Sequence, residues 1–270
     1  MEEKMKLACS STVVPGETLT EKAEFLKKCG YDGMSIFADY ALWSPNLRKE
    51  VLSLYEHTGI VPCEFVFSDP IYGHLMAEDP DLKKRCRQMY REAAALCAET
   101  GAITELEYSC GPQNPLPLYS PYGQMPDQEW EEFVLLYREI AAITENSSGL
   151  VLIEPLNRYE SPYLNTVHDC VELLTAVDHS STGLLLDYFH MSIEEENLSE
   201  STLSAGKWVR HVHLGDSNRL LPGYGHTDFR ACFSALKEIG YHGFVSLECA
   251  VLKDPYTELT KTSAFLSNFL

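Results

Sequence analysis

The sequence predicts a single (β/α)8 barrel over residues 1–270, and three observations carry that reading. Short apolar or β-rich runs recur eight times, segments with helical spacing follow each of them, and the 270 residues are close to the roughly 250 typical of such barrels.

The first run, at about 6–10 (KLACS), precedes a helical pattern over 18–29 that Gly30 stops. The second, 33–37 (GMSIF), leads to a helix over 46–57 ended by Gly59. The third, 60–66 (IVPCEFV), leads to 79–99, with Asp81 in its first turn and Gly101 beyond its end. Glycine suits these ends because a C-terminal cap takes left-handed backbone at little steric cost. The fourth run, 102–108 (AITELEY), precedes a helix over 127–146 that Asp127 opens. Four more runs follow at 149–154 (GLVLIE), 182–187 (TGLLLD), 208–214 (WVRHVHL) and 243–248 (GFVSLE), with helical patterns over 165–178, 199–206, 228–238 and 256–269; Gly240 follows the third of these helices. Several runs are apolar on both faces, as parallel strands covered by helices are. Eight such units fit a closed barrel better than an open doubly wound sheet, and no GxGxxG follows the first strand.

The segment 108–126 (YSCGPQNPLPLYSPYGQMP) is the longest connection without helical pattern. It follows strand four on the expected active face, either as a substrate-covering loop or as structural padding.

Lys and Arg number 21 against 40 Asp and Glu, a formal net charge of -19. Such a chain repels a phosphate backbone, so nucleic acid is excluded as a partner, and polyanionic substrates are disfavoured. The acidity itself needs no function beyond solubility. Nine cysteines, an odd number without a CxxC pair, argue against a disulfide scaffold or zinc knuckle. The start MEEKMKLACSSTVV lacks the basic flank and apolar run of an export signal, and no stretch of 18 apolar residues occurs. A cytoplasmic protein with no membrane contact is expected.

In a barrel of this type the chemistry sits at the C-terminal ends of the strands. Strands five to eight end there with Glu154, Asp187, His213 and Glu248. Singly, each carboxylate reads as a helix cap and the histidine as an interior residue. Together, charges at the ends of apolar strands must be paired or bind a cation, which predicts one divalent metal ion held by all four. Three carboxylates and one imidazole form a hard set, suited to Mn2+, Mg2+ or Co2+, with Zn2+ a lesser alternative. His211 shares the side of strand seven with His213 but lies one layer deeper, where interior packing is the better reading.

The strings EPLNRYE (154–160), LDYFHMSIEEENL (186–198), HVHLGDSNRLLPGYGHTDF (211–229) and SLE (246–248) resemble the xylose-isomerase-like barrel family of sugar epimerases and isomerases. The likeness is closest to the ketose 3-epimerases of the D-tagatose and D-psicose type, and it covers the C-terminal half. It implies that Glu154, Asp187, His213 and Glu248 ligate the metal, Mn2+ first, and that Glu154 and Glu248 also move the proton. It implies further that Glu160, His190 and Arg219 hold substrate oxygens, and that the protein is a homodimer or homotetramer acting on a small sugar. His226 and Asp228 match a GHxD portion of the pattern, as supporting groups or as ligands to additional metals. Around Cys9 and Ser35, in the N-terminal half, no substrate contact is mapped.

The implied activity is inversion of C3 of a ketose by proton transfer through an enediolate. A metal-dependent aldose–ketose isomerase or a sugar-phosphate epimerase would use the same centre. Few basic residues sit in the active-face loops, Arg158, Arg219 and Lys253 being the main ones, which favours an unphosphorylated sugar. The endonuclease branch of the superfamily needs further histidines, and His57 and His74 fall away from the expected strand ends. A non-catalytic metal- or sugar-binding module is the remaining alternative.

Overall fold

The apolar runs form eight parallel strands: β1 (Lys6–Ser10), β2 (Gly33–Asp39), β3 (Val61–Ser68), β4 (Ile103–Leu106), β5 (Leu150–Ile153), β6 (Thr182–Asp187), β7 (Val209–Leu214) and β8 (Phe244–Leu247). Each pairs with its sequence neighbours and β8 pairs with β1, so the described strands close into a barrel. The structure is a computed structural model that describes residues 4–120 and 123–270.

Around the barrel run α1 (Leu19–Cys29), α2 (Pro45–Thr58), α3 (Pro80–Thr100), α4 (Asp127–Ala141), α5 (Val167–Val177), α6 (Tyr188–Glu194), α7 (Leu198–Ala205), α8 (Phe229–Glu238) and α9 (Pro255–Leu266). Local chemistry sets their ends. Thr18 and Glu21 form a reciprocal capping box on α1, while Gly30, Gly59 and Gly101 take left-handed backbone where α1, α2 and α3 stop. Helix α3 shows why these segments dock. Its buried residues Cys86, Met89, Tyr90, Ala93, Ala94, Leu96 and Cys97 recur at three- and four-residue spacing and face the strands. Burying a side chain such as Met89 stabilises the fold by about 1.5–3 kcal/mol. Met89→Ala would cost about 2–5 kcal/mol once the cavity left behind is included.

Helix α6 has no counterpart in the sequence pattern. It begins without any connecting residue after β6, because Asp187 is at once the last strand residue and the N-cap, its Oδ1 accepting the backbone N–H of Phe189 at 2.7 Å. Strand and helix patterns overlap there, and the run reads as strand alone.

Alternation along the strands stacks the barrel interior in layers. Ile103, Leu152 and Leu185 form a small apolar cluster apart from the main core. Two residues further along the same strands, on the same face, stand Glu105, Glu154 and Asp187. The apolar layer is therefore the floor of a polar one. No helix among the described residues is long and apolar enough to cross a membrane, and all nine cysteines are free thiols.

Candidate metal centre

The register of β6 on β7 sets Asp187 opposite His213, and that of β7 on β8 sets His213 opposite Ser246. Glu154 and Glu248 follow the last residues of β5 and β8, each tied back to a neighbouring strand through its backbone N–H, to Leu106 and Leu214. One ligand atom from each of Glu154, Asp187, His213 and Glu248 lies within 4.8 Å of the others. His213 Nδ1 is 3.6 Å from both Glu154 Oε1 and Glu248 Oε2. Three of these atoms, Glu154 Oε1, Asp187 Oδ2 and His213 Nδ1, are buried without a hydrogen-bond partner. Polar atoms stripped of water and partners are costly, and three of them aimed at one point fit a divalent cation.

Behind His213 lies a group that the sequence reading passed over. Glu64, wholly buried on β3, places Oε2 2.9 Å from His213 Nε2 and 3.6 Å from His211 Nε2. Burial pushes the Glu64 pKa up, but His213 and then His211 outweigh it and bring it down to about 2. The carboxylate accepts the Nε2 proton of His213 and leaves Nδ1 toward the cavity, as carboxylates behind metal-binding histidines do. His211 occupies the deeper layer expected for it, and burial lowers its pKa to about 4. A lone glutamate in the apolar run IVPCEFV was the available signal for Glu64.

Arg219 reaches the centre from the loop after β7. Its Nη2 donates to Glu248 Oε2 at 2.8 Å, its Nη1 lies 3.7 Å from Asp187 Oδ2 and 2.8 Å from His190 Nε2, and its guanidinium stacks over Phe189 at 4.6 Å. The loop is held by Asp216, buried and undetected in the sequence reading. Its carboxylate accepts backbone N–H groups of Ser217, Gly223, Gly225 and Thr227 at 2.8–3.1 Å. A Cβ on Gly225 would stand 2.3 Å from Asp216 Oδ1, so only glycine fits against this carboxylate. Arg219 itself has φ +58°, a left-handed conformation that the loop imposes.

Asn157, 1% exposed, joins the other two expected substrate contacts. Its backbone N–H and side-chain amide both donate to His190 Nδ1, at 3.1 and 2.8 Å, and the amide also donates to Glu160 Oε1 at 2.9 Å. His190 Nε2 is thereby turned toward Asp187 Oδ2, 3.6 Å away.

Glu154, Glu160, His190, Arg219 and Glu248 line one cavity of about 340 Å³ with Phe37, Phe67 and Tyr72. Burial raises the pKa of Glu154 and of Glu248, partly offset by His213. Asp187 is buried too, yet His190, Arg219 and His213 hold it below its ordinary value. Glu105 and Glu107 also line this cavity, again missed although both interrupt a β-rich run.

Other residues singled out in the sequence lie elsewhere. His226 and Asp228 border a separate surface pocket rather than the central cavity, and Asp228 caps α8 through Ala231. Arg158 is committed to Glu194 through paired contacts, and Lys253 lies over Tyr224. His57 is on α2, whereas His74 lines the cavity rim. Ser35 bonds Ser246 at 2.7 Å, and Cys9 is packed in the core. From the 108–126 connection, Cys110 reaches the cavity; Gln113, Pro115, Pro117, Ser120 and Gly123 line an adjoining pocket, and residues 121 and 122 lie outside the described residues.

A parallel eightfold barrel with carboxylates and an imidazole converging at the C-terminal rim defines a barrel protein with a site fit for a divalent ion. The chain belongs to the xylose isomerase-like TIM barrel family, whose sequence model matches residues 23–268. It is 28% identical over 227 residues to a D-psicose 3-epimerase of Ruminiclostridium cellulolyticum, covering 83% of this chain and 76% of that one. It is 27% identical over 264 residues to a 3-dehydro-D-guloside 4-epimerase of Escherichia coli, covering 97% and 99%. The crystal structure of a 3-keto-D-glucoside 4-epimerase from E. coli superposes with a TM-score of 0.86 at 25% identity, covering 98% of this chain and all of that one.

Proposed function

We propose that this protein is a metal-dependent sugar epimerase that inverts C3 of a ketose by proton transfer through an enediolate. The observation that carries the reading is the pair Glu154 and Glu248, both 3.6 Å from His213 Nδ1 and both on the wall of one sugar-sized cavity. Epimerisation beside a carbonyl needs a base on one face of the carbon and an acid on the other. Strands β5 and β8 stand well apart around the ring, so their two glutamates flank whatever lies between them.

Glu154, Asp187, His213 and Glu248 would hold the ion, with Mn2+ preferred and Mg2+ or Co2+ next for this hard donor set. When bound, a divalent ion supplies Lewis acidity to the carbonyl and hydroxyl oxygens beside the reacting carbon. The two glutamates differ in surroundings: Glu154 is buried, while Glu248 is partly exposed and paired with Arg219. Burial lifts both pKa values toward neutrality, the direction a carboxylate needs in order to take a proton from carbon and return it. Arg219 and His190 would fix the substrate oxygens at the carbonyl end, and Glu160 would accept a hydroxyl proton. Arg219 is already engaged by Glu248 and Asp187, and no other Arg or Lys lines the described cavity, which supports an unphosphorylated sugar.

A second reading has a specific support, since the E. coli 4-epimerase matches this chain over nearly its whole length. Inverting C4 of a 3-keto sugar is the same chemistry moved one carbon, with the proton again lost beside a carbonyl. Incubation with a panel of ketoses and 3-keto glycosides plus Mn2+, followed by chromatography, tests both. A C3 epimer of a ketose is the expected product; a C4 epimer formed from 3-keto glycosides alone selects the second reading. A homodimer or homotetramer is proposed from the resemblance to ketose 3-epimerases.

A further inference from the structure

Glu105 and Glu107 stand two residues apart at the end of β4, on the same inward face as Glu154, and the function proposed above uses neither. Each is 4% exposed, and the Oε2 of each has no hydrogen-bond partner. The hydroxyl of Tyr72 donates to the other oxygen of Glu105 at 2.7 Å and holds that carboxylate in place. Glu154 Oε1 is likewise unpartnered, and one carboxylate oxygen from each of the three residues lies within 4.8 Å of the other two. All three line the central cavity.

Charge leads to the same place. A divalent ion at the first centre, together with Arg219, balances Glu154, Asp187 and Glu248. Glu105 and Glu107 are additional, and Arg219 is already committed to Glu248 at 2.8 Å and Asp187 at 3.7 Å. Buried carboxylates without a counter-charge are costly; they must take up protons or a cation. An all-oxygen set with room for water ligands suits a hard divalent ion.

We propose that Glu105, Glu107 and Glu154 bind a second divalent cation, with Glu154 shared between the two ions. The proposal does not depend on which sugar, if any, is turned over.

The test is a titration of the chelator-stripped full-length protein with Mn2+ alone, counting bound ions by calorimetry and by the loss of the free-ion paramagnetic resonance signal. Two ions per chain are expected, and at low temperature their spectrum should show coupling, because one carboxylate joins them. In the double variant Glu105→Gln, Glu107→Gln the count should fall to one and the coupling vanish, while Asp187→Asn should weaken the other ion instead. One ion per chain in the unmodified protein at saturating Mn2+ overturns the proposal and assigns protons to Glu105 and Glu107. So do two ions that persist in the double variant. The count and the coupling in the unmodified protein decide the matter even where a variant fails to fold.

Discussion

Glu64 holds His213 by its Nε2, 2.9 Å away, and this contact decides which ring nitrogen is offered to the cavity. With the proton on Nε2 directed at Glu64, Nδ1 is left facing Glu154 and Glu248. Glu64→Gln keeps the shape but replaces a charged acceptor by an amide that can present either end. Mn2+ affinity is expected to fall about 10- to 100-fold, measured by metal titration, with turnover largely recovered at saturating metal. Unchanged affinity would mean that packing alone orients the ring.

Glu248→Gln retains an oxygen that can ligate but removes the proposed base. Turnover is expected to drop by at least ~10²-fold while metal and sugar binding persist, read by kinetics beside direct binding. Glu154→Gln should behave similarly if both faces of the substrate are used. Near-normal turnover with metal bound would place the base elsewhere.

Most of the candidate centre was legible in the sequence because its four groups stand at or beside strand ends. Glu154, Asp187 and Glu248 each close an apolar run and His213 stands one residue before the end of its own, and a barrel brings strand ends together whatever the helices do. Less was legible of the residues that hold those four groups in place. Glu64 lies mid-strand, where only the three-dimensional register sets it beside His213. Asp216 acts on four backbone N–H groups, which leave no side-chain pattern to read. Glu105 and Glu107 interrupt a β-rich run, but their shared inward face appears only once the barrel closes around them. His226 and Asp228 show the opposite failure: they share the motif with Arg219, yet the loop turns them outward.

Asn157 does not itself line the cavity, yet it holds two groups that do, donating to both His190 and Glu160. Asn157→Ala should therefore raise KM for the sugar and leave Mn2+ affinity unchanged. Loss of metal affinity to the same degree as sugar affinity would show that the variant has disturbed the centre itself.

Asp216 gives a pH dependence whose sign follows from its contacts. Burial raises its pKa, but the N–H groups of Thr227, Gly225, Ser217 and Gly223 outweigh burial and leave it below the ordinary value. A carboxyl depressed in the folded state contributes stability above its unfolded pKa of about 3.9, and loses that contribution as pH falls through the lower folded value. Asp216→Asn should thus destabilise the protein near neutrality by on the order of 3 kcal/mol, and the difference should shrink below about pH 4. Denaturant melts of both proteins across that range measure it. A difference independent of pH would assign the loss to packing.

The reacting carbon is open to a direct isotopic reading. In deuterated water, proton removal beside C2 of a ketose forms an enediolate between C2 and C3, and its return from either face places solvent deuterium at C3. Recovered ketose and its C3 epimer should therefore both carry the label there, provided Glu154 and Glu248 exchange protons with solvent faster than they return them. Glu248 is partly exposed, which favours exchange on its side, whereas Glu154 is buried and exchanges more slowly. Unequal labelling of the two products is the expected consequence, and the product that carries more deuterium should be the one protonated from the Glu248 face. Retention of hydrogen at C3 with an aldose as product would move the chemistry to C1 and C2. Deuterium at C4 of a 3-keto glycoside, with none at C3 of any ketose, would move it one carbon the other way. The ion and both carboxylates serve all three outcomes equally, so what the label reads is the register in which the cavity holds the sugar over them.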